Sequence, residues 1–161
     1  MRQLVITEIE ELIMSLGNHP GLCFYYTKYI IDILKRYGYN AVPQAGSMQW
    51  RRLKEDDGVC ATHFSYMWNP ATPISTISMA LGQLPEMHCW VGLIDEQEVV
   101  DFSTRHLKSA AAAIGMEWTA EDPPQYLWCA VGDIPESAYY IPNREATIYA
   151  GLLMEQFKNR L

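Results

Sequence analysis

Cys23, His88 and Asp101 have the residue types that nucleophilic acyl chemistry needs. Cys23 follows the Pro20-Gly21 turn and opens a helix predicted over Leu22 to Tyr37. A helix N-terminus presents unpaired N–H groups and about half a positive charge. Both favour thiolate over thiol, which lowers the cysteine's pKa and activates it. A free cysteine at this place also works as a small buried apolar side chain, so residue type alone leaves two readings open.

His88 and Asp101 lie in the stretch MHCWVGLIDEQEVVDFST, Met87 to Thr104, which reads as strand, turn, strand. Strand residues alternate faces, so His88, Trp90, Gly92 and Ile94 share one side. Val99, Asp101 and Ser103 lie together on the return strand. Any regular even-length turn puts His88 and Asp101 on one face. A two-residue turn at Asp95-Glu96 sets Asp101 opposite Trp90 and diagonal to His88, about 7 Å away at Cα and within side-chain reach. A four-residue turn at Asp95 to Glu98 keeps the face but separates the pair. If the two meet, the aspartate orients the imidazole and leaves its other nitrogen to serve a thiol. A structural histidine paired with a structural aspartate is the competing reading.

The elements that must hold these groups follow from periodicity. Arg2 to Leu16 reads as an amphipathic helix, with Val5, Ile9, Leu12, Ile13 and Leu16 at helical spacing. The second helix places Tyr26, Ile30, Ile33, Leu34 and Tyr37 on one side, and Gly38 provides its C-terminal stop. Asn40 to Gly46 reads as a short strand, edge or irregular because of Pro43. Gln49 to Gly58 reads as a loop and Val59 to Trp68 as a strand. A short helix is expected around Ser75 to Leu81, within an ambiguous stretch from Ala71 to Pro85. Leu107 to Ile114 is alanine-rich and helical, and Gln125 to Val131 is a strand. Asn143 to Leu161 closes the chain as a helix, with Ile148, Leu152 and Phe157 expected on its buried side. Helices, then mostly antiparallel strands, then a helix predict an α+β fold in a single domain over residues 1–161.

Composition narrows the partners. The net charge of −7 argues against nucleic acid and anionic membranes, which repel an acidic surface. Glu8, Glu10 and Glu11 interrupt the first apolar stretch, so no signal peptide is expected. No segment approaches the roughly 20 apolar residues of a membrane span. The expectation is a cytoplasmic chain whose cysteines, Cys23, Cys60, Cys89 and Cys129, are free thiols.

The segments GLCFYYTKYIIDILKRYGYNAVPQAGSM and HCWVGLIDEQEVVDFST together resemble the core of the transglutaminase-like superfamily. That group belongs to the wider papain-like cysteine enzymes and is similar in layout to arylamine N-acetyltransferases. The resemblance covers about Gly21 to Thr104. It implies a papain-like core, with the catalytic helix packed on a mostly antiparallel sheet. It also implies a Cys23–His88–Asp101 triad working through a thioester, without cofactor or metal. Cys23 would attack a peptide, protein or small amide or acyl substrate. His88 would shuttle the proton. Water as acceptor makes a peptidase or amidase, and an amine makes a transferase. No glutamine stands just before Cys23 at the papain-like oxyanion position. The Cys23 N–H then needs a second donor, with Asn18, Tyr66 and Trp68 as candidates and Trp90 as a further substrate contact.

Other readings remain open. Cys60-x-x-His63 and His88-Cys89 offer zinc-type ligands, but within strands these pairs point to opposite faces. Cys60, Cys89 and Cys129 read as core residues, and His63 and His106 as surface or hydrogen-bonded side chains. His19 is a substitute base if the hairpin register fails. The same fold without activity would make a peptide- or protein-binding module, which the aromatic content also suits.

Overall fold

The computed structural model describes residues 1–54, 62–81 and 86–158. Helices α1 (Arg2–Leu16) and α2 (Cys23–Arg36) come first, followed by strands β1 (Ala41–Arg51) and β2 (His63–Tyr66). Helix α3 (Pro73–Ala80), strands β3 (His88–Leu93) and β4 (Glu98–Asp101) and helix α4 (Leu107–Ala113) follow. Strands β5 (Leu127–Ala130) and β6 (Ala138–Pro142) and helix α5 (Arg144–Lys158) complete the order. All strand pairings are antiparallel, in the order β2-β1-β3-β4-β5 with β6 also on β1. The α+β class expected from the sequence is what the chain adopts.

The sheet is buried on both faces. Val91, Leu93 and Val100 meet Val5, Ile9 and Ile13 of α1 and Ile30, Ile33 and Leu34 of α2. Ala45 and Cys89 continue that face beneath Ala146 and Ala150 of α5. The opposite face carries Met48, Trp50 and Phe64, packed with Leu107 and Ala111 of α4, beside Trp90, Val99 and Leu127.

Both N-terminal helices form where apolar periodicity places them. Gly38 ends α2 at φ 88°, with its N–H on the Lys35 carbonyl (3.0 Å) and the Tyr39 N–H on Leu34 (3.1 Å). That is a Schellman cap, in which glycine takes the left-handed conformation without a Cβ clash. Thr72 caps α3 by accepting from the Ser75 N–H, and Pro73 follows at the first helical position.

Two sequence expectations are corrected. Strand β1 runs on to Arg51, so Gln49 to Arg51 are strand rather than loop. Buried Met48 and Trp50 alternate with half-buried Gln49 and Arg51, a period-two pattern that pairs with both β2 and β6. Pro43 lies where β1 is paired on one side only, with β3, in keeping with the edge position expected of it. Its ring faces the edge where Ala45, two residues on, bonds to Thr147 and Asn143, and β6 pairing begins only at Gly46. No ladder donor is therefore missing at Pro43. In α5 the buried residues are Ala146, Ala150, Leu153 and Met154, while Ile148 and Leu152 are exposed. Small alanines let the helix approach the sheet closely, and the bulky residues turn outward to line a cavity of about 240 Å³ with Trp68, Pro70 and Met79. Residues 55–61 and the Phe157 side chain lie outside the described residues, so the Cys60 reading and the first part of the Val59 to Trp68 strand do too.

Candidate active site

The hairpin register decides whether the two polar residues meet. Leu93 pairs with Glu98, Gly92 with Val99 and Val91 with Val100. Continued outward, this register sets Asp101 opposite Trp90 and diagonal to His88. It is the register of the shorter turn, closed by residues 94–97 with Gln97 at φ 53°. His88 Nε2 donates to Asp101 Oδ2 at 2.7 Å.

Asp101 is 3% exposed and saturated with donors. Oδ2 also accepts from the Tyr140 hydroxyl (2.8 Å), and Oδ1 accepts from the Ser103 hydroxyl (2.6 Å) and the Ser103 N–H (2.9 Å). Burial opposes its charge, but the His88 charge and hydrogen bond, with help from Ser103, hold its pKa below the ordinary value.

His88 is 1% exposed and layered between aromatic rings. Tyr66 stacks on one side at 5.4 Å and Trp90 on the other at 5.9 Å, with Tyr140 tilted at 6.2 Å. Burial alone would depress its pKa. The Asp101 carboxylate outweighs that, aided by Cys23, and pushes it up to about 10. With Nε2 committed to Asp101, Nδ1 is the nitrogen left for proton transfer, and it is buried without a partner of ordinary hydrogen-bond geometry.

Cys23 supplies the sulfur. It is the first residue of α2, half-buried, and Leu22 before it gives no side-chain cap. Its thiol interacts with the side chains of Cys89 and His88 and with the Cys89 backbone. The Cys89 hydrogen bond is the largest influence. Together with His88 it overcomes burial and lowers the Cys23 pKa well below the usual thiol range. Cys89 shifts the opposite way, pushed up first by its hydrogen bond to Cys23 and then by burial. The Cys23–His88 approach is thus looser than an ordinary hydrogen bond, yet close enough for each to bias the other's proton. Loose geometry of this kind is common before substrate binds.

Other candidates separate. Trp90 is buried, and its indole N–H is taken by Gln44 Oε1 at 2.8 Å. It cannot serve as a substrate contact and acts as a platform beneath His88. Tyr66 is half-buried against His88, and its pKa is raised to about 12 by burial and by the charges of Cys23 and Asp101. Its hydroxyl therefore stays protonated near the sulfur. The Trp68 side chain packs against the same cluster as Cys23, while its backbone N–H donates to Ser47 Oγ (2.8 Å). Asn18 is exposed in the turn before α2. His19 is exposed too, with Nδ1 on its neighbour's carbonyl (Pro20, 2.9 Å). Among the described residues, no group of three or more His, Cys, Asp or Glu is placed to hold a metal ion.

Sequence reasoning missed Tyr140, Ser103 and the part played by Cys89. Cys89 is a core residue as expected, but it also touches the Cys23 thiol. Its adjacency to His88 was the available signal. Ser103 was legible as the residue two beyond Asp101. Tyr140 arrives through β6, 39 positions away from Asp101, and nothing local announces it.

No family model and no curated protein matches the chain. A solved crystal structure of a genomics target is similar at 17% identity and a TM-score of 0.48, covering 96% of this chain and 75% of the other. A likeness at that level says nothing about activity.

Proposed function

We propose that the protein is a cysteine-nucleophile enzyme of transglutaminase-like, papain-like layout, acting on amide or acyl substrates through a thioester. The observation that carries this reading is one chain of contacts. A half-buried cysteine of lowered pKa interacts with a histidine whose far nitrogen donates to a buried, four-donor carboxylate. Those are the roles of nucleophile, acid–base and orienter.

Opposite shifts on Cys23 and His88 favour a thiolate–imidazolium pair at neutral pH. The thiolate attacks the carbonyl carbon directly. The Cys23 N–H at the start of α2 faces the developing oxyanion, and the protonated Tyr66 hydroxyl is the best-supported second donor. His88 gives its proton to the leaving amine as the thioester forms. It then takes a proton from the incoming water or amine, which releases the acyl group. Asp101 keeps the imidazole in place throughout and stabilises its charge.

A thiol-reactive acyl ester, with peptide mapping of the acylated residue, tests the reading. Acylation should fall on Cys23 alone, and His88→Ala should slow it by roughly 10²–10⁴-fold. Acylation of Cys129 at a comparable rate, or none at Cys23, would leave only the binding-module reading.

A further inference from the structure

Cys89 forms no bond to the acyl group in the proposed chemistry, yet it is the largest influence on the nucleophile's pKa. Cys23 packs against the cluster formed by Cys89, Phe24, Ala45 and Met87, and each thiol shifts the other's pKa. Cys23 is half-buried, whereas Cys89 is 1% exposed. The nucleophile is thus the less buried of the two thiols, and the second is sealed in the core beside it. That arrangement of less buried attacking and hidden resolving cysteines is what reversible thiol oxidation requires.

We infer that Cys23 and Cys89 form a peroxide-driven, reversible disulfide that stores the nucleophile in an inactive form. The inference rests on the reading of Cys23 as an activated thiolate. In the first step the Cys23 sulfur attacks a peroxide oxygen. The O–O bond breaks, and hydroxide leaves and is protonated to water, giving Cys23 sulfenic acid. In the second step the Cys89 sulfur attacks the Cys23 sulfur. The S–O bond breaks, and the departing hydroxide takes the proton that Cys89 gives up, leaving as a second water. The two thiols together supply the two electrons that reduce peroxide. A thiol reductant reverses the bond by exchange. Cys23 packs against the cluster that contains Cys89, and closure must bring their Cβ atoms to the roughly 3.8 Å that a disulfide needs.

The test exposes the full chain to hydrogen peroxide and follows intact mass, free-thiol count and peptide linkage. The native chain should lose two hydrogens and two of its four thiols, link Cys23 to Cys89 and regain full alkylation after reduction. Cys89→Ala should instead carry Cys23 on to sulfinic acid, which a thiol reductant does not reverse. Cys89→Ser, close to cysteine in shape, guards against a packing artefact and should behave as the alanine variant does. Sulfinic acid at Cys23 of the native chain without a Cys23–Cys89 link would overturn the inference while leaving the proposed function intact. A Cys23 inert to both peroxide and iodoacetamide would overturn both.

Discussion

The opposite pKa shifts of Cys23 and His88 favour a proton on His88 over one on Cys23 in the folded chain, with a measurable consequence at the residue scale. The folded pKa of His88 rises from 6.5 to about 10, so its contribution is fully present below 6.5 and is lost as pH rises through about 10. The folded pKa of Cys23 drops below 9.0, so its contribution is present above 9.0 and is lost as pH falls through the lowered value. Above 6.5, wherever the lowered pKa leaves Cys23 ionised, the folded chain favours one proton on His88 and the unfolded chain one on Cys23. The number bound is equal, and the pair adds no slope to stability against pH. Cys23→Ala breaks the balance, because Asp101 still favours a proton on His88. Relative to the native chain, the Tm of Cys23→Ala should decline as pH rises from about 6.5 to about 8.5. Thermal melts of both proteins across that window check it, and parallel curves would show that the proton is not exchanged. Cys23, His88 and Asp101 were legible because their types are unusual for their positions. The shifts were not, since they depend on burial and on contacts among Cys23, Cys89, His88, Asp101 and Ser103 that only the fold creates.

At the scale of elements, the sequence showed clearly those whose pattern is local. Helix α1 has the bounds its periodicity predicts, and α2 ends at the glycine that stops it. The hairpin turn was the weak point, and its register was settled by strand pairing rather than by turn residues. Gly46 shows why β1 needs its neighbours to be understood. A Cβ there would strike the Ile141 carbonyl and lie 2.8 Å from the Asn143 nitrogen, so β6 and the start of α5 are pinned against β1 only because residue 46 is glycine. The misassigned face of α5 has the same origin. Apolar periodicity picked out the large side chains, whereas packing against Ala45 and Phe24 selected the small ones. Ala150→Leu should therefore cost about 1–3 kcal/mol by overpacking. Leu152→Ser, on the exposed face, should stay within about 0.5 kcal/mol. Denaturant unfolding of the two variants distinguishes them, and the reverse order would restore the face first expected.

At the scale of the whole molecule, the site depends on parts that the local motifs do not contain. The resemblance spans about Gly21 to Thr104, yet Tyr140 holds Asp101 and Thr147 binds both the N–H and the carbonyl of Ala45. The C-terminal third thus buttresses the strand beside the histidine, a long-range closure with no sequence signature. Among the described residues, no helix is long and apolar enough to cross a membrane. The acidic total of −7 does not extend into the centre, where the Asp101 carboxylate is met by the His88 ring. The proposed chemistry turns on whether a protonated His88 holds a thiolate beside it. The rate of iodoacetamide labelling at Cys23, followed from about pH 5 to about pH 9 with the modified residue mapped, reads this directly. Cys23 should react across the neutral range at a nearly constant rate, on the order of tenfold or more faster than Cys129, and slow only in acid as its lowered pKa is crossed. A rate that climbs about tenfold per pH unit through neutrality, as for an ordinary thiol, would contradict an activated Cys23.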